Sequence, residues 1–333
     1  MRNRYLQIGS IFSLFLCLLS ISPCHATAGS SERIHFRRLS VNDGMSQNTV
    51  LALTQDHNGK IWVGTIDGVN WYDGYRFATL YKDLNDSTSL SNNHVYSLCT
   101  DEEGTVWVGT LTGLSRYNII GNNFTNYYLP EKQPVQIFSI GDLNGKNQLL
   151  LGTSNGLIVF DKKTGYMNRH PLLRETNVYS ICKMNDEVLL GTSSGIYHYH
   201  PHDNSVVRLL PELENEVVSS ILYDPRKRIC WLGTLTNGVY CTDENFRIKK
   251  HYHYKSPQQL PENAVRTLAQ DDKGNIWIGT INALFVLEPE TEKIAKYAFS
   301  HENESSLGHN SVRSILKDNQ GGMWVGTYYG GLN

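Results

Sequence analysis

Short apolar runs alternate with turn residues along almost the whole chain. One unit reads Val50–Gln55 (VLALTQ), a turn rich in Asp, Asn and Gly, a run ending in Trp-Val-Gly-Thr, Val69–Tyr72 (VNWY) and a last short run from Phe77. Such runs, rich in Val, Ile, Tyr, Phe and Thr and bounded by turn residues, are typical of strands. Helical spacing of apolar positions is almost absent, so the pattern predicts an all-β chain.

The unit repeats. An apolar pair followed by Gly-Thr occurs seven times, at intervals of 39 to 47 residues, and its glycines are Gly64, Gly109, Gly152, Gly191, Gly233, Gly279 and Gly326. Four strands in about 40–45 residues is the period of a propeller blade. We therefore predict a seven-bladed β-propeller of four-stranded antiparallel blades, with each Gly-Thr on the second strand of its blade. Glycine inside a strand indicates close approach of a neighbouring backbone.

The two ends of the repeat array predict how the ring closes. The chain ends inside the seventh repeat, so we expect an incomplete last blade and a chain that is a fragment or a truncated gene product. Phe36–Leu39 stands before the first repeat, where later repeats have a fourth strand. We expect this segment to be the outermost strand of blade seven, because an open ring would leave an exposed edge.

The N-terminus predicts export. Arg2 and Arg4 precede an apolar run, Ile11–Ile21, which Ala26-Thr27-Ala28 follows. This is the pattern of a secretory signal peptide, and the run is short for a membrane span. We predict a signal peptide over residues 1–28, a propeller over 29–333, a periplasmic location and no membrane segment in the mature chain. An uncleaved anchor and lipid attachment at Cys24 remain as alternatives.

Composition narrows the classes of function. The 333 residues are 40% hydrophobic, enough for a sizeable core, and the net charge of −2 provides no basic surface for nucleic acid. The four cysteines beyond residue 28 are too few for a disulfide framework. We expect Cys99 and Cys182 to be buried. We expect Cys230 and Cys241 to face each other across one hairpin, with a disulfide as the less favoured outcome.

A longer phrase links repeats one, two, six and seven. Leu/Met-x-x-Asn-x-Val, as in Leu90–Val95 (LSNNHV), precedes the first strand, and Asp-x-x-Gly-x-x-Trp precedes Gly-Thr. The combination resembles the two-component regulator propeller repeat; repeats three to five are degenerate. The resemblance implies the periplasmic sensor region of a hybrid two-component sensor kinase from glycan-degrading gut bacteria. It also implies an oligosaccharide ligand released from a glycan that the sequence does not name, and a homodimer formed through the full-length sensor.

Two other classes stay open: a propeller carbohydrate-active enzyme and a protein-interaction scaffold. The Asp-x-x-Gly turns resemble the Asp-box of sialidase propellers, but with a different spacing, and that box is itself structural. A glycosidase would need two carboxylates that converge on a cleft, and the sequence singles out no such pair. Kinase motifs are also missing from this sequence, so we do not predict an enzyme.

Candidate ligand residues follow from propeller geometry. Loops between second and third strands share one face of the ring with the entries to the first strands. If a ligand binds near the axis, we predict contacts from the loop residues Asp67, Thr112, Asn155, Ser194, Asn237, Asn282 and Tyr329. Ordinary solvated turn residues are the default explanation for this set.

Two histidine groups raise the question of a metal. His198, His200 and His202 alternate along one run, as do His251 and His253. Alternating residues of a strand point to one face, and imidazoles there could bind metal. Because no matching cysteine or carboxylate spacing accompanies them, we predict no metal site and no cofactor.

Overall fold

The repeats fold as antiparallel sheets in which each strand pairs with the next one along the chain. The structure is a computed structural model that describes residues 34–129, 133–143, 146–255 and 260–333. The predicted signal peptide, residues 1–28, lies outside these ranges. The residues described from His35 to Asn333 belong to one compact unit.

Six sheets within the described ranges have four strands each. Their strands are β1 (Val50–Gln55), β2 (Ile61–Thr65), β3 (Val69–Tyr72), β4 (Phe77–Leu80); β5 (Val95–Thr100), β6 (Val106–Thr110), β7 (Gly113–Asn118), β8 (Asn123–Tyr128); β9 (Ile137–Asp142), β10 (Gln148–Thr153), β11 (Gly156–Asp161), β12 (Met167–Arg169); β13 (Val178–Met184), β14 (Glu187–Thr192), β15 (Gly195–His200), β16 (Ser205–Leu209); β17 (Val218–Asp224), β18 (Ile229–Thr234), β19 (Val239–Asp243), β20 (Ile248–Tyr252); β21 (Val265–Gln270), β22 (Ile276–Thr280), β23 (Leu284–Glu288) and β24 (Lys293–Tyr297). A further sheet pairs β25 (Val312–Lys317) with β26 (Met323–Thr327). The described helices are short 3-10 turns at Val41–Asp43, Pro171–Leu173 and Pro211–Leu213.

The first strands of the sheets form a closed ring. β1 contacts β5, β5 contacts β9, and the series continues through β13, β17 and β21 to β25. β25 in turn contacts β1. Sheets arranged radially about such a ring are the blades of a β-propeller, so the predicted all-β propeller of four-stranded antiparallel blades is confirmed.

The predicted number of blades needs a correction. We predicted seven blades with the last one incomplete, and the described residues form six complete blades. The seventh repeat supplies only the two-stranded sheet of β25 and β26, together with isolated bridges from Leu332 to Gly326 and to Leu39. Leu39 and Leu332 exchange backbone hydrogen bonds of 2.8 and 2.9 Å. The N-terminal segment therefore lies at the outer edge of the seventh unit, as predicted, but as one bridge rather than a strand over Phe36–Leu39.

The cores lie between neighbouring blades. Trp62 and Val69 of the first blade pack against Leu90, Val95 and Phe124 of the second. Every position of β2, β6 and β22 is buried, because both faces of a second strand are covered. Full burial of one such apolar side chain contributes roughly 1.5–3 kcal/mol. A blade therefore depends on its neighbours for much of its stability.

The repeated glycine marks the closest approach between blades. All seven Gly-Thr pairs lie on the second strand of their unit, as predicted. A Cβ on Gly64 would lie 2.5 Å from Cγ1 of Val95 in the next blade. The other six glycines face the first residue of the next inner strand in the same way: Gly109 and Ile137, Gly152 and Val178, Gly191 and Val218, Gly233 and Val265, Gly279 and Val312, Gly326 and Val50. Only glycine leaves room for this contact.

The threonine after each glycine closes the turn to the third strand. The hydroxyl of Thr65 donates to the carbonyl of Gly68 at 2.9 Å and accepts the backbone N–H of Asp67 at 3.0 Å. Its side chain is fully buried, and a third hydrogen bond, to the Ser46 hydroxyl at 3.1 Å, completes its hydrogen-bonding capacity. The other six threonines also donate to a carbonyl three or four residues ahead.

The predicted pairing of Cys230 with Cys241 is wrong. Trp231 lies opposite Cys241, and Cys230 lies opposite Thr242, so the two cysteines point to opposite faces of the fifth blade. All four described cysteines are free thiols. The turn between β18 and β19 has one residue more than the turn between β2 and β3, and a one-residue change in register moves a side chain to the other face.

Within the residues that the structure describes, no helix has the length and apolar character needed to cross a membrane.

Candidate ligand site on the propeller axis

A repeated irregularity of the inner strands builds the site. In each inner strand the pairing with the second strand shifts after the first residue, as between Val50 and Ala52 in β1. The same shift occurs in β5, β9, β13, β17, β21 and β25. Such a bulge leaves one residue unpaired and re-aims its side chain. The unpaired residue is the second of each strand.

Those seven unpaired residues surround one cavity. They are Leu51, Tyr96, Phe138, Tyr179, Ser219, Arg266 and Arg313, and all of them line a cavity of about 480 Å³. Leu235, Ala264 and Ile281 complete its described wall. Because all seven inner strands contribute, the cavity lies on the axis of the ring. Its size is within the range of small-molecule sites.

The wall has an aromatic side and a cationic side. Tyr96, Phe138 and Tyr179 come from three successive blades, and the centroid of the Phe138 ring lies 5.9 Å from that of Tyr96 and 5.1 Å from that of Tyr179. His94 stacks on Tyr96 with centroids 4.3 Å apart, which holds that ring in place. Arg266 and Arg313 face the cavity from β21 and β25.

The two guanidinium groups lack a carboxylate partner among the described residues. Nη1 of Arg266 donates to the Ser311 hydroxyl at 2.6 Å, and no acidic residue is among those that line the cavity. Burial lowers the pKa of Arg313, and burial together with the nearby charge of Arg313 lowers the pKa of Arg266. Arginine keeps its proton under such conditions. The site therefore holds two partly desolvated positive charges that an anion would stabilise.

Neighbouring titratable groups respond to the same burial. Burial raises the pKa of the Tyr96 hydroxyl, and the charge of Arg313 partly opposes that rise. Burial lowers the pKa of His94, and Arg313 lowers it further. His94 is consequently kept as neutral imidazole more readily than an exposed histidine.

The seven loop residues predicted from sequence occupy the turns that the Gly-Thr threonines close. The side chains of Asp67, Asn237 and Asn282 hydrogen-bond to Asn93, Glu216 and Glu262, respectively. The Thr112 hydroxyl donates to the Ser91 carbonyl at 3.5 Å, the backbones of Asn155 and Ser194 donate to Thr153 and Thr192, and Tyr329 packs edge-on to His309. Leu235 and Ile281, which line the cavity, belong to the same turns as Asn237 and Asn282.

The seven predicted loop residues thus lie near the axial cavity but do not line it. None of the seven predicted residues is among the residues that line the axial cavity, and whether they contact a ligand stays a prediction. Sequence reasoning missed the inner ring. The signal was nonetheless present, because in the repeats with the asparagine phrase the ring residue directly follows the valine of Leu/Met-x-x-Asn-x-Val.

Four of the repeats match a known family of repeats. The family model of the two-component regulator propeller matches residues 44–67, 89–112, 259–282 and 306–329. The chain carries two-component regulator propeller repeats. The four matched segments are repeats one, two, six and seven, each extending from the asparagine phrase to the turn after Gly-Thr. Histidine kinase P4 from Formosa agariphila is 43% identical over 54 residues, which cover 16% of this chain and 4% of that protein.

Solved structures share the fold of these regulator propeller repeats. The extracellular domain of a hybrid two-component system from B. thetaiotaomicron is 24% identical with a TM-score of 0.76, over 90% of this chain and 41% of that one. Another extracellular domain of such a system from the same organism is 23% identical with a TM-score of 0.72, over 90% and 39%. The chain thus spans about two-fifths of the length of these structures.

An enzyme has the same fold. Virginiamycin B lyase from Staphylococcus aureus is 11% identical with a TM-score of 0.68, over 89% of this chain and 97% of that one. Fold alone therefore does not separate a sensor from an enzyme. The choice between these two functions therefore depends on the residues that line the cavity.

Proposed function

We propose that the chain is the ligand-sensing propeller of a hybrid two-component regulatory system, exported to the periplasm, and that its axial cavity binds an acidic oligosaccharide released from a glycan. The observation that carries the proposal is the pairing of three aromatic rings with two arginines that have no carboxylate partner in the described wall. The regulator propeller repeats supply the link to two-component systems. The predicted signal peptide supplies the link to the periplasm.

The two sides of the cavity suit two parts of one ligand. Aromatic side chains present flat apolar faces, and the C–H face of a sugar ring can pack on them. Guanidinium groups bind carboxylate or sulfate through paired hydrogen bonds, which are stronger than bonds between neutral groups. An oligosaccharide that carries uronic acid or sulfate groups has both features.

Signalling would need more than this propeller. We propose that ligand binding shifts the relative positions of sensor domains in a homodimer, and that the shift reaches a kinase across the membrane. The short match to a histidine kinase supports this placement. The sensor role, the homodimer and the kinase are all parts of the proposal for the whole protein.

Calorimetric titration tests the ligand class. Purified protein would be titrated with a uronic-acid tetrasaccharide and a neutral tetrasaccharide, and we expect measurable binding of the acidic ligand only. Arg313→Gln should weaken binding at least about tenfold, since a lost charged hydrogen bond costs about 1.5–3 kcal/mol. Tyr179→Ala should also weaken it, whereas Arg247→Gln, an exposed arginine of the fifth blade, should not.

Three outcomes would overturn the proposal. Equal binding of neutral and acidic oligosaccharides would remove the role of the arginines. Cleavage of the acidic oligosaccharide during incubation, seen by mass spectrometry, would favour the carbohydrate-active enzyme. Absence of binding across a panel of uronic-acid and sulfated oligosaccharides, with protein that unfolds cooperatively, would favour the interaction scaffold.

A further inference from the structure

A second polar cluster lies away from the axis, on the fourth blade. His198 and His200 are two residues apart on β15, so both side chains point to the same face of the sheet. β14 pairs with β15 through Val188 and Tyr199. Continuing this register by one residue places Glu187, the first residue of β14, opposite His200. Directly opposed residues share a face.

The three side chains converge. Oε2 of Glu187 lies 2.8 Å from Nδ1 of His200 and also contacts Nε2 of His198. The two imidazole rings have centroids 4.3 Å apart. One ligand atom from each of the three residues lies within 4.8 Å of the other two. Two ligands of one tetrahedral zinc ion, each about 2.1 Å from it, are about 3.4 Å apart, so small side-chain rotations would complete the geometry.

The contacts among the three side chains are at ion-pair distance but do not have hydrogen-bond geometry. Oε2 of Glu187 and Nε2 of His198 are shielded from solvent, and within the described residues they meet each other and His200 without forming a hydrogen bond of normal geometry. A buried polar atom without a hydrogen bond is costly. A metal ion would satisfy both atoms, because a carboxylate oxygen and a ring nitrogen are each metal ligands.

The surroundings allow an ion to enter and water to complete its coordination. A surface cavity of about 340 Å³ is lined by Glu187 and His200 together with Asp186 and His202. Lys146 and Lys183 also line it and oppose the approach of a cation. From the fifth blade, Phe246 covers His198, with ring centroids 6.0 Å apart. The cluster therefore has one apolar side and one open side.

We propose that Glu187, His198 and His200 form a binding site for a divalent transition-metal ion, with Zn²⁺ as the ion of choice. Two histidines and one glutamate are a known set of three protein ligands for zinc that leaves one position for water. Imidazole ligands favour Zn²⁺, Cu²⁺ and Ni²⁺ over Mg²⁺ and Ca²⁺, which prefer oxygen. The sequence predicted no metal because Glu187 becomes a partner of the histidines only through the β14–β15 hairpin.

Zinc titration of EDTA-treated protein without a histidine tag tests the site. Calorimetry should give one Zn²⁺ per chain, with no heat from Mg²⁺ or Ca²⁺. Glu187→Gln and His198→Gln should each weaken zinc binding by more than about tenfold, since even an outer-shell partner is worth 10- to 100-fold. His253→Gln is the matched control, because His253 also belongs to an alternating histidine pair, with its ring stacked on His251.

A second readout separates lost binding from lost folding. Zinc absorption-edge spectroscopy on the wild-type protein should give two nitrogen ligands at about 2.0–2.1 Å, and circular dichroism should be unchanged in the glutamine variants. The proposal is overturned if zinc binds equally to wild type and His198→Gln, or if His253→Gln is the variant that loses it. It is also overturned if wild-type protein binds no zinc, which would leave the cluster as a carboxylate–imidazole contact only.

Discussion

The carboxylate of Asp56 stabilises a turn and also makes a contact in the core. Its Oδ1 accepts the backbone N–H groups of Asn58 and Lys60 at 2.9 and 3.0 Å, and its Oδ2 accepts the indole N–H of Trp62 at 2.9 Å. The same carboxylate–indole bond recurs with lengths of 2.8 to 3.0 Å in three other units, at Asp101 and Trp107, Asp271 and Trp277, and Asp318 and Trp324. The Asp-x-x-Gly-x-x-Trp phrase is therefore a structural device, which accounts for its likeness to an Asp-box without any catalytic role.

Asp56→Asn should destabilise the propeller. Its amide oxygen can still accept the turn N–H groups, but its NH₂ group then faces the indole N–H of buried Trp62, and two donors meet. We expect a loss of about 1–3 kcal/mol in the free energy of unfolding, the cost of an unsatisfied buried donor. Urea unfolding checks this, with Glu102→Gln, an exposed change in the equivalent turn of blade two, expected within about 0.5 kcal/mol of wild type. Equal midpoints for the two variants would contradict the structural role.

Burial should protect the cysteine thiols of the fifth blade. Burial raises the pKa of Cys230 to about 12 and that of Cys241 to about 11, so both stay protonated at pH 8. The thiolate is the reactive form. We therefore expect iodoacetamide at pH 8 to leave both cysteines unmodified in native protein and to label them after denaturation, read by peptide mass spectrometry. Rapid labelling of either one without denaturant would show that the blade opens.

The sequence predicts features of single residues correctly where they depend on residues close by in the chain. Bounds such as Val50–Gln55 and Val265–Gln270 follow from apolar runs between turns, and the structure has the same bounds. The register of Cys230 was misjudged, because it depends on the number of residues in the turn rather than on the apolar pattern. Glu187 was missed for a related reason, since its partners His198 and His200 lie eleven and thirteen positions away across a hairpin.

At the scale of elements, the bulge in each inner strand separates what was predictable from what was not. Turn positions on the face that carries the candidate site follow from strand order alone. The residues that line the axis do not, because they depend on one unpaired residue per strand, and apolar periodicity does not report a bulge. In the sequence, Arg266 and Arg313 are ordinary strand residues. In the structure, the bulges place both of them on the axis.

The N-terminal segment joins the seventh unit to blade one. Leu39 is buried in the core between the seventh unit and blade one, with Met45, Val50 and Leu332. The guanidinium of Arg38 donates to the carbonyl of Ser306 at 2.9 Å. The segment therefore joins elements that are far apart in sequence.

Leu39→Ala should weaken this closure. Removing a buried leucine side chain costs about 2–5 kcal/mol, because transfer energy is lost and a cavity remains. Val41→Ala, at a side chain that is 44% exposed, should cost far less and serves as the control. We expect guanidinium unfolding to show the difference, and native hydrogen exchange of Leu39→Ala to rise first in β25 and β26. Uniform exchange across all blades would contradict a role specific to closure.

At the scale of the whole molecule, the contacts of the seven Gly-Thr glycines link neighbouring units all the way around a closed ring. Each Gly-Thr glycine touches the first residue of the next inner strand, and the last of them, Gly326, touches Val50 of the first blade. A Cβ at Gly326 would lie 2.5 Å from Cγ1 of Val50. The contact therefore joins residues near opposite ends of the repeat array, and it exists only because the ring is closed.

A double-mutant cycle on this contact tests closure directly. Gly326→Ala alone should destabilise by about 1–3 kcal/mol through overpacking. Val50→Ala removes Cγ1 of Val50 from the new Cβ and leaves its contact with the Ser314 hydroxyl, so the double variant should recover part of the loss and be more stable than the sum of the single changes predicts, with a coupling of about 0.5–3 kcal/mol. Gly326→Ala combined with Val178→Ala, a residue that faces Gly152 instead, should be additive. Additivity in the Gly326–Val50 pair would mean that the ring is open in solution, because residues that do not touch have no free energy of interaction to lose.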